Sequence, residues 1–265
     1  MERFELAVDA VTRAGAALRA SRVESGDVHF KTGYKDLVTY WDRQTEQLLR
    51  KEILSAFPDD TIVGEEYPPS GSGGIAWYID PIDGTTNFVN QHRNYAVSVG
   101  CWDGDRPLFG LVLDVEREAM YSAKPGGGAW RNGVRLRVSG RTDLREMLLT
   151  SPGVQYTFLE RHEWHAQMTE LARAVRGVRC LGSVALELCE LAAGEADLFV
   201  TLRSSPWDHN AARIVLAEAG GAISTVNGSP LPVSEKSTVL AANSRESLNA
   251  ALKLLGGSGP RADTP

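Results

Sequence analysis

The sequence predicts an α+β protein, with helices and an antiparallel sheet in its N-terminal half and an α/β arrangement in its C-terminal half. Three observations carry that reading. Apolar runs at 95–102, 108–115 and 118–123 are separated by short turns, as in an antiparallel meander. Asn132-Gly133, between Ala129-Trp130 and the run 134–138, is a hairpin-turn dipeptide. Beyond a connector at 142–145, strand-like and helix-like segments alternate. These boundaries divide the chain into an N-terminal α+β domain (1–145), a C-terminal α/β domain (146–255) and a flexible Gly/Pro-rich tail (256–265).

The elements follow in order. Phe4, Ala7, Val8, Val11, Ala14, Gly15 and Leu18 share one helical face, which predicts a helix over 2–21. Ser25-Gly26-Asp27 ends it, and 28–34 shows no decisive period. A second helix over 40–57 turns Leu48, Leu49, Ile53 and Phe57 inward. Thr39 and Asp42 have capping-box spacing at its start, and Pro58-Asp59-Asp60 stops it. Ile62-Val63 is a short strand, and the Pro/Gly/Ser-rich stretch 67–74 predicts a mobile loop. The second half reads as strand 147–151, helix 158–175, strand 177–181, helix 183–193, strand 196–202, helix 208–219, strands 222–226 and 238–242, and helix 244–255.

Composition excludes some functions. Of 265 residues 43% are hydrophobic, and the net charge is −6 with no long basic run. Nucleic-acid backbone binding is therefore not the expected task. An anionic substrate stays open, because a bound cation reverses the local potential. Cys101, Cys180 and Cys189 are odd in number with no CxxC pair, which predicts reduced thiols and a cytoplasmic protein. The opening segment lacks a signal peptide's apolar core, and no run approaches the ~20 apolar residues of a membrane span.

Chemistry concentrates in Asp80-Pro81-Ile82-Asp83-Gly84-Thr85-Thr86-Asn87-Phe88, which follows the apolar run Ile75-Ala76-Trp77-Tyr78-Ile79. Carboxylates suit hard divalent cations such as Mg²⁺. A glycine turn opening a helix lets backbone N–H groups approach phosphate. Together they suggest metal-assisted phosphoryl chemistry. As separate dipeptides, Asp-Pro and Asp-Gly are ordinary turn formers. Pro125-Gly126-Gly127-Gly128 lacks the ending of a phosphate loop and reads as a hairpin turn. The five histidines show no metal-ligand spacing, and His209 reads as a partly exposed helix residue. No GxSxG nucleophile motif is present.

The nine-residue run resembles the signature of the inositol monophosphatase superfamily, the lithium-sensitive, Mg²⁺-dependent phosphatases. Gly64-Glu65-Glu66 upstream, and Trp207-Asp208 followed by Ala211-Ala212 and Glu218-Ala219-Gly220-Gly221, match further motifs in type and order. The likeness covers 28–40, 64–66, 77–90, 126–139 and 179–221. It implies a layered α-β-α-β-α sandwich with the site between its halves. Carried over by residue, it implies that Glu65, Asp80 and the Ile82 carbonyl hold one Mg²⁺ and that Asp80, Asp83 and Asp208 hold a second. Glu65 would help place a third, for about two to three ions per site. Thr85 would orient the attacking water, with Asp42 accepting its hydroxyl proton. The N–H groups of Gly84 and Thr85 would hold the phosphate. Taken alone, Asp42 could simply cap its helix and Asp208 could be only the N-cap of helix 208–219. Lys31 matches a basic family position and could equally be a solvated lysine.

Some positions depart from the pattern. Thr201 stands where inositol-cleaving members carry a glutamate, Asn210 where a small alanine is usual, and Gln91-His92-Arg93-Asn94 is more polar than usual. Arg203 would suit a substrate with a second anionic group, and Arg179 and Ser183 lie on the expected substrate side. The implied partner is a small phosphorylated metabolite such as inositol 1-phosphate, histidinol phosphate or fructose 1,6-bisphosphate. The implied assembly is a homodimer. Adenosine 3′,5′-bisphosphate phosphatases usually carry Lys-Glu where this chain has Thr86-Asn87. A non-catalytic regulatory protein of the same fold is the alternative of another class. Loss of a metal carboxylate would favour it, and Glu65, Asp80, Asp83 and Asp208 are all present.

Overall fold

The computed structural model describes residues 2–22, 26, 28–30, 37–159 and 163–256. Lys31, His162 and the tail beyond 256 lie outside the described residues. Helix α1 (Arg3–Ala20), strands β1 (Val28–Phe30) and β2 (Leu37–Thr39), and helix α2 (Tyr40–Ala56) open the chain. β1 and β2 pair antiparallel, which resolves the segment that lacked a period. Next come β3 (Thr61–Gly64), β4 (Ile75–Asp83), α3 (Thr85–Gln91), β5 (Ala96–Asp103), β6 (Arg106–Asp114), β7 (Ala119–Lys124), β8 (Gly128–Arg131) and β9 (Val134–Arg135). Strands β3 to β9 form a seven-stranded sheet in sequence order. Only β3 and β4 run parallel in it. Asn132 and Gly133 both take positive φ (49° and 79°), as the expected tight hairpin demands.

The second half contains β10 (Leu148–Thr150), α4 (Val154–Thr157), α5 (His165–Ala174), β11 (Gly177–Arg179), α6 (Val184–Ala192), β12 (Leu198–Ser204), α7 (Pro206–His209), α8 (Ala212–Ala219), β13 (Ala222–Ser224), β14 (Ser237–Ala242) and α9 (Arg245–Leu254). Its sheet has the order β11-β10-β12-β14-β13. Two expected helices differ in the structure. In place of the helix over 158–175, α5 covers only His165–Ala174, and the short α4 lies just before the expected span. The helix over 208–219 becomes α7 and α8, because Ser205 caps a new turn with Pro206 at its first position.

Three apolar cores between the layers make the α-β-α-β-α sandwich. Leu6, Val11, Leu18, Leu49 and Ile53 of α1 and α2 pack on Trp77 and Ile79 of β4. Tyr78, between those two, points to the opposite core with α6 and α8. That period-2 alternation repeats in β12, where Phe199 faces α6 and α8 while Leu198 and Val200 face α5 and α9. Helices α6 and α8 thus lie between two sheets. α6, Val-Ala-Leu-Glu-Leu-Cys-Glu-Leu-Ala, is accordingly buried on nearly every side.

The stretch expected to be a mobile loop is tied down. Ser70 and Ile62 exchange backbone hydrogen bonds of 2.8 and 3.0 Å. Arg50 donates from Nη1 to Ser70 Oγ (2.9 Å) and from Nη2 to the Tyr67 carbonyl (3.0 Å). Its Nε donates to Glu46 Oε1 at 2.7 Å, and Glu46 Oε2 accepts the Glu66 N–H at 2.7 Å. Local composition sees only Pro, Gly and Ser, whereas the restraint comes from α2.

Candidate active site

The site begins at the end of β4. In a regular strand, residues three apart point to opposite faces. Here Asp80 pairs with Ser98 and Asp83 with Ala96, so three steps on β4 oppose two on β5. That one-residue bulge turns both carboxylates to the same side. Asp80 Oδ1 also accepts the Ile82 N–H at 3.0 Å. Gly84 follows at φ 97°, and a Cβ there would lie 3.0 Å from the Asn94 carbonyl oxygen and 3.2 Å from that of Gly182. Only glycine suits both the left-handed conformation and the space. Helix α3 then starts at Thr85, whose first N–H groups have no acceptor within the helix.

Thr85 Oγ1 lies 3.1 Å from both Asp42 Oδ1 and the Ile82 carbonyl oxygen and can donate to either. Asp42 Oδ2 accepts from Thr39 N (2.7 Å) and Thr39 Oγ1 (2.6 Å), while Thr39 Oγ1 accepts from the N–H groups of Trp41 and Asp42. Asp42 therefore completes the capping box of α2 with one oxygen and faces Thr85 with the other. Burial pushes its carboxyl up to about 6 against the Thr39 bonds.

Asp83 reaches into the second half. Its carboxylate accepts from Ser183 Oγ (2.6 Å), Ala185 N (2.6 Å) and Val184 N (3.3 Å), so it covers the N-terminus of α6. Asp208 is the third residue of α7, not the cap of a long helix, and its Oδ2 accepts the Ser205 N–H at 2.7 Å. His209 beside it is fully buried rather than partly exposed. Burial lowers its ring pKa to about 3, so it is neutral.

Burial, then Glu65, Asp83, Asp208 and Asp42 in turn, pushes the Asp80 carboxyl well above the usual range. Burial, then Asp83 and Glu65, does the same to Asp208. For Asp83, burial raises the carboxyl to about 6 against the bonds from Ser183 and Ala185. Glu65, Asp80, Asp83 and Asp208 thus share one field, to which Asp42 adds a smaller part. An all-oxygen, mutually repelling and mostly buried donor set is what a hard divalent cation neutralises. The carboxylates are not drawn into a closed shell: among the described residues, no three His, Cys, Asp or Glu side chains are placed to hold one ion. The donor chemistry and burial fit Mg²⁺, while Asp83 and Asp208 direct oxygens to helix N–H groups.

Glu65, Gly84 and Thr85 line a cavity of about 660 Å³. Pro152, Val154 and Leu181 line it from the second half, and Gln91, Arg93 and Asn94 from the end of α3 and the segment after it. Thr201 is buried and its hydroxyl is spent on the Arg203 backbone, 3.0 Å from the carbonyl oxygen and 3.3 Å from the nitrogen. Arg203 is exposed, and Arg179 donates to its neighbour's carbonyl, Val178 O, at 2.9 Å. None of these three lines the cavity. Ser183 is buried under Asp83.

Three supporting residues escaped sequence reading. Asn87 Nδ2 donates to Asn94 O (2.8 Å) and Leu181 O (2.6 Å), joining α3 to the second half. Glu46 holds the residue after Glu65. Its signal was available, since Asp42, Glu46, Leu49 and Ile53 form one inward stripe. Glu187, an acid in an apolar helix, accepts from Leu181 N (2.6 Å) and Gly182 N (3.3 Å) and shapes the cavity wall. Burial pushes its carboxyl from 4.5 up to about 8, opposed by those two N–H groups. A folded-state pKa above the unfolded value means that folding favours the protonated form. This contribution is full below pH 4.5 and is lost as pH rises through about 8. Glu187→Gln keeps an acceptor and removes the ionisation. Its Tm relative to wild type should rise between pH 5 and 8 and level off above. A pH-independent difference in thermal melts would refute this account.

The sequence pattern of the Inositol monophosphatase family matches residues 1–256. An inositol-1-monophosphatase of Bacillus subtilis is 37% identical over 246 residues, covering 90% of this chain and 91% of the relative. A Thermotoga maritima protein named fructose-1,6-bisphosphatase/inositol-1-monophosphatase is 36% identical over 232 residues, covering 86% of each. The crystal structure of inositol monophosphatase II from Staphylococcus aureus superposes with a TM-score of 0.82 at 30% identity, covering 93% of this chain and 92% of that one. The chain belongs to the inositol monophosphatase family. It is accordingly a phosphoric monoester hydrolase. Among the described residues no helix is long and apolar enough to cross a membrane.

Proposed function

We propose that the protein hydrolyses a small phosphorylated polyol or sugar with Mg²⁺ bound at Glu65, Asp80, the Ile82 carbonyl, Asp83 and Asp208. The observation that carries this reading is the field of four acidic groups beside the Thr85–Asp42 pair and the Gly84 turn, of which Glu65, Gly84 and Thr85 line one cavity. When bound, the ions supply a water of lowered pKa and stabilise the departing oxygen. The chain supplies the rest. Thr85 Oγ1, held between Asp42 and the Ile82 carbonyl, orients a water by accepting a hydrogen bond from it. Asp42 takes the Thr85 hydroxyl proton in a hydrogen bond. Gly84 and Thr85 line the cavity at the start of α3, which supports their N–H groups as the phosphate donors. No protein nucleophile is needed. We read the protein also as a cytoplasmic homodimer, on the family resemblance and its free cysteines.

The test is phosphate release with and without Mg²⁺ from inositol 1-phosphate, histidinol phosphate, fructose 1,6-bisphosphate and adenosine 3′,5′-bisphosphate. Release that requires Mg²⁺ and favours a polyol or sugar ester is the expected outcome. Mg²⁺-independent release, or none from any of the four, would sink the reading.

A further inference from the structure

We propose that Arg93 selects substrates that carry a second anionic group beside the phosphate ester. This inference rests on the phosphatase reading above and names its substrate class.

Among the described residues lining the cavity, Arg93 carries the only positive charge and Glu65 the only negative one. The neighbouring Arg117, which reaches Asn94 Oδ1 at 3.4 Å, is already paired with Asp114 at 2.9 Å. Arg93 instead donates through Nε to a neutral partner, Gln91 Oε1, at 2.9 Å. That contact leaves its terminal nitrogens for a ligand, and Arg93 is exposed. A guanidinium anchored through Nε presents a planar pair of donors suited to carboxylate or phosphate.

The backbone is shaped to present it. His92 and Asn94 both adopt the left-handed conformation, at φ 50° and 55°. Outside glycine this conformation is uncommon, and a histidine tolerates it less readily than an asparagine. The unfavourable geometry is held from several sides. The His92 N–H bonds to Asn87 O at 3.0 Å, and its ring packs 5.0 Å from Phe88. The Asn94 carbonyl accepts from Asn87 Nδ2 at 2.8 Å. With His92 turned onto the Phe88 ring, Arg93 between the two left-handed residues faces the cavity. Strained positions that the surroundings over-determine are a mark of functional placement.

Position sets the substrate class. Thr85 opens α3 and Arg93 follows its end, so the helix separates phosphate site and guanidinium by about 10 Å at 1.5 Å per residue. The flexible arginine side chain covers shorter separations. The fitting ligand is a phosphate monoester with a second phosphate or a carboxylate a few carbons from the scissile ester. Arg203, the expected second-anion site, does not line the cavity.

The experiment compares kcat/KM, with Mg²⁺, within matched pairs. The carboxylate arm is 2-phosphoglycerate against glycerol 2-phosphate. The phosphate arm is fructose 1,6-bisphosphate against fructose 1-phosphate. In at least one arm wild type should favour the more anionic member. Arg93→Gln should lower that ratio about tenfold, mainly through KM, the size expected when one charge-assisted contact is lost at a partly screened site. Arg93→Lys, which keeps the charge but not the planar pair of donors, should restore only part of it, and Arg173→Gln, on the exposed face of α5, should not change it. Raising ionic strength should erode the ratio in wild type more than in Arg93→Gln. Mg²⁺-dependent release with the same ratio in wild type and Arg93→Gln in both arms overturns the role of Arg93 and leaves the phosphatase reading standing. No Mg²⁺-dependent release from any of the four overturns both.

Discussion

Asp83→Asn is expected to lower Mg²⁺-dependent phosphate release on the order of 10²–10³-fold, the scale of losing one preorganised electrostatic contact at a reacting centre. The protein should stay folded. An asparagine Oδ1 can still accept from Ser183 Oγ and Ala185 N, the two 2.6 Å bonds. Its amide nitrogen then faces only the longer contact to Val184 N, at 3.3 Å. Removing one of several repelling carboxylates offsets part of that cost. A Mg²⁺ titration of the folded variant should show weakened binding alongside the lost rate. Wild-type turnover at saturating Mg²⁺ would remove Asp83 from the site. Loss of circular dichroism would show instead that its work is to join the two halves through α6.

Gly110→Ala should lower stability by roughly 1–3 kcal/mol, the usual penalty for overpacking, and reduce turnover with it. A Cβ at Gly110 would overlap the Ala211 carbonyl oxygen and approach its carbon to 3.0 Å. Gly100, its partner across β5 and β6, would place a Cβ 2.9 Å from Ala211 N. Backbone, not a flexible side chain, fills the space above both glycines. The segment cannot easily lift, because Asn210 Nδ2 is tied to the Val233 carbonyl at 2.7 Å. Asp208 stands three residues before Ala211. Pushing this junction off the sheet moves a carboxylate of the proposed site as well as opening the core. The thermal midpoint should fall by several degrees. Gly140→Ala, where a Cβ meets nothing within 4 Å, serves as the control. Equal midpoints for the two variants would disprove the close approach.

The local parts of the molecule were legible in the residues. Thr39 and Asp42 form the capping box that their spacing predicts. Asn132-Gly133 turns the hairpin, and Cys101 and Cys189 are buried thiols. No local pattern shows that Glu218 accepts the Gly126 and Gly128 N–H groups, at 2.9 and 2.8 Å, and so fixes the turn between β7 and β8. Errors fell where a distant partner overrides local composition. The Pro/Gly/Ser stretch after Glu66 is held by Arg50, and the helix expected over 208–219 breaks because Ser205 and Pro206 start a turn that settles on Gly100 and Gly110.

By itself, then, the sequence determined four acidic oxygen donors at Glu65, Asp80, Asp83 and Asp208, a glycine turn opening a helix at Gly84-Thr85, and the order of most helices and strands. Each depends on side-chain type or on neighbours within a few positions, where periodicity, capping and turn preferences act. Only the tertiary structure decided that a bulge turns Asp80 and Asp83 to one side. It also decided that Asp83 bonds Ser183 across 100 positions, that Thr201 is buried, and that Arg93 faces the cavity. Those outcomes depend on which surfaces meet when two sheets close on α6 and α8, and one segment alone carries no record of the partner that will cover it.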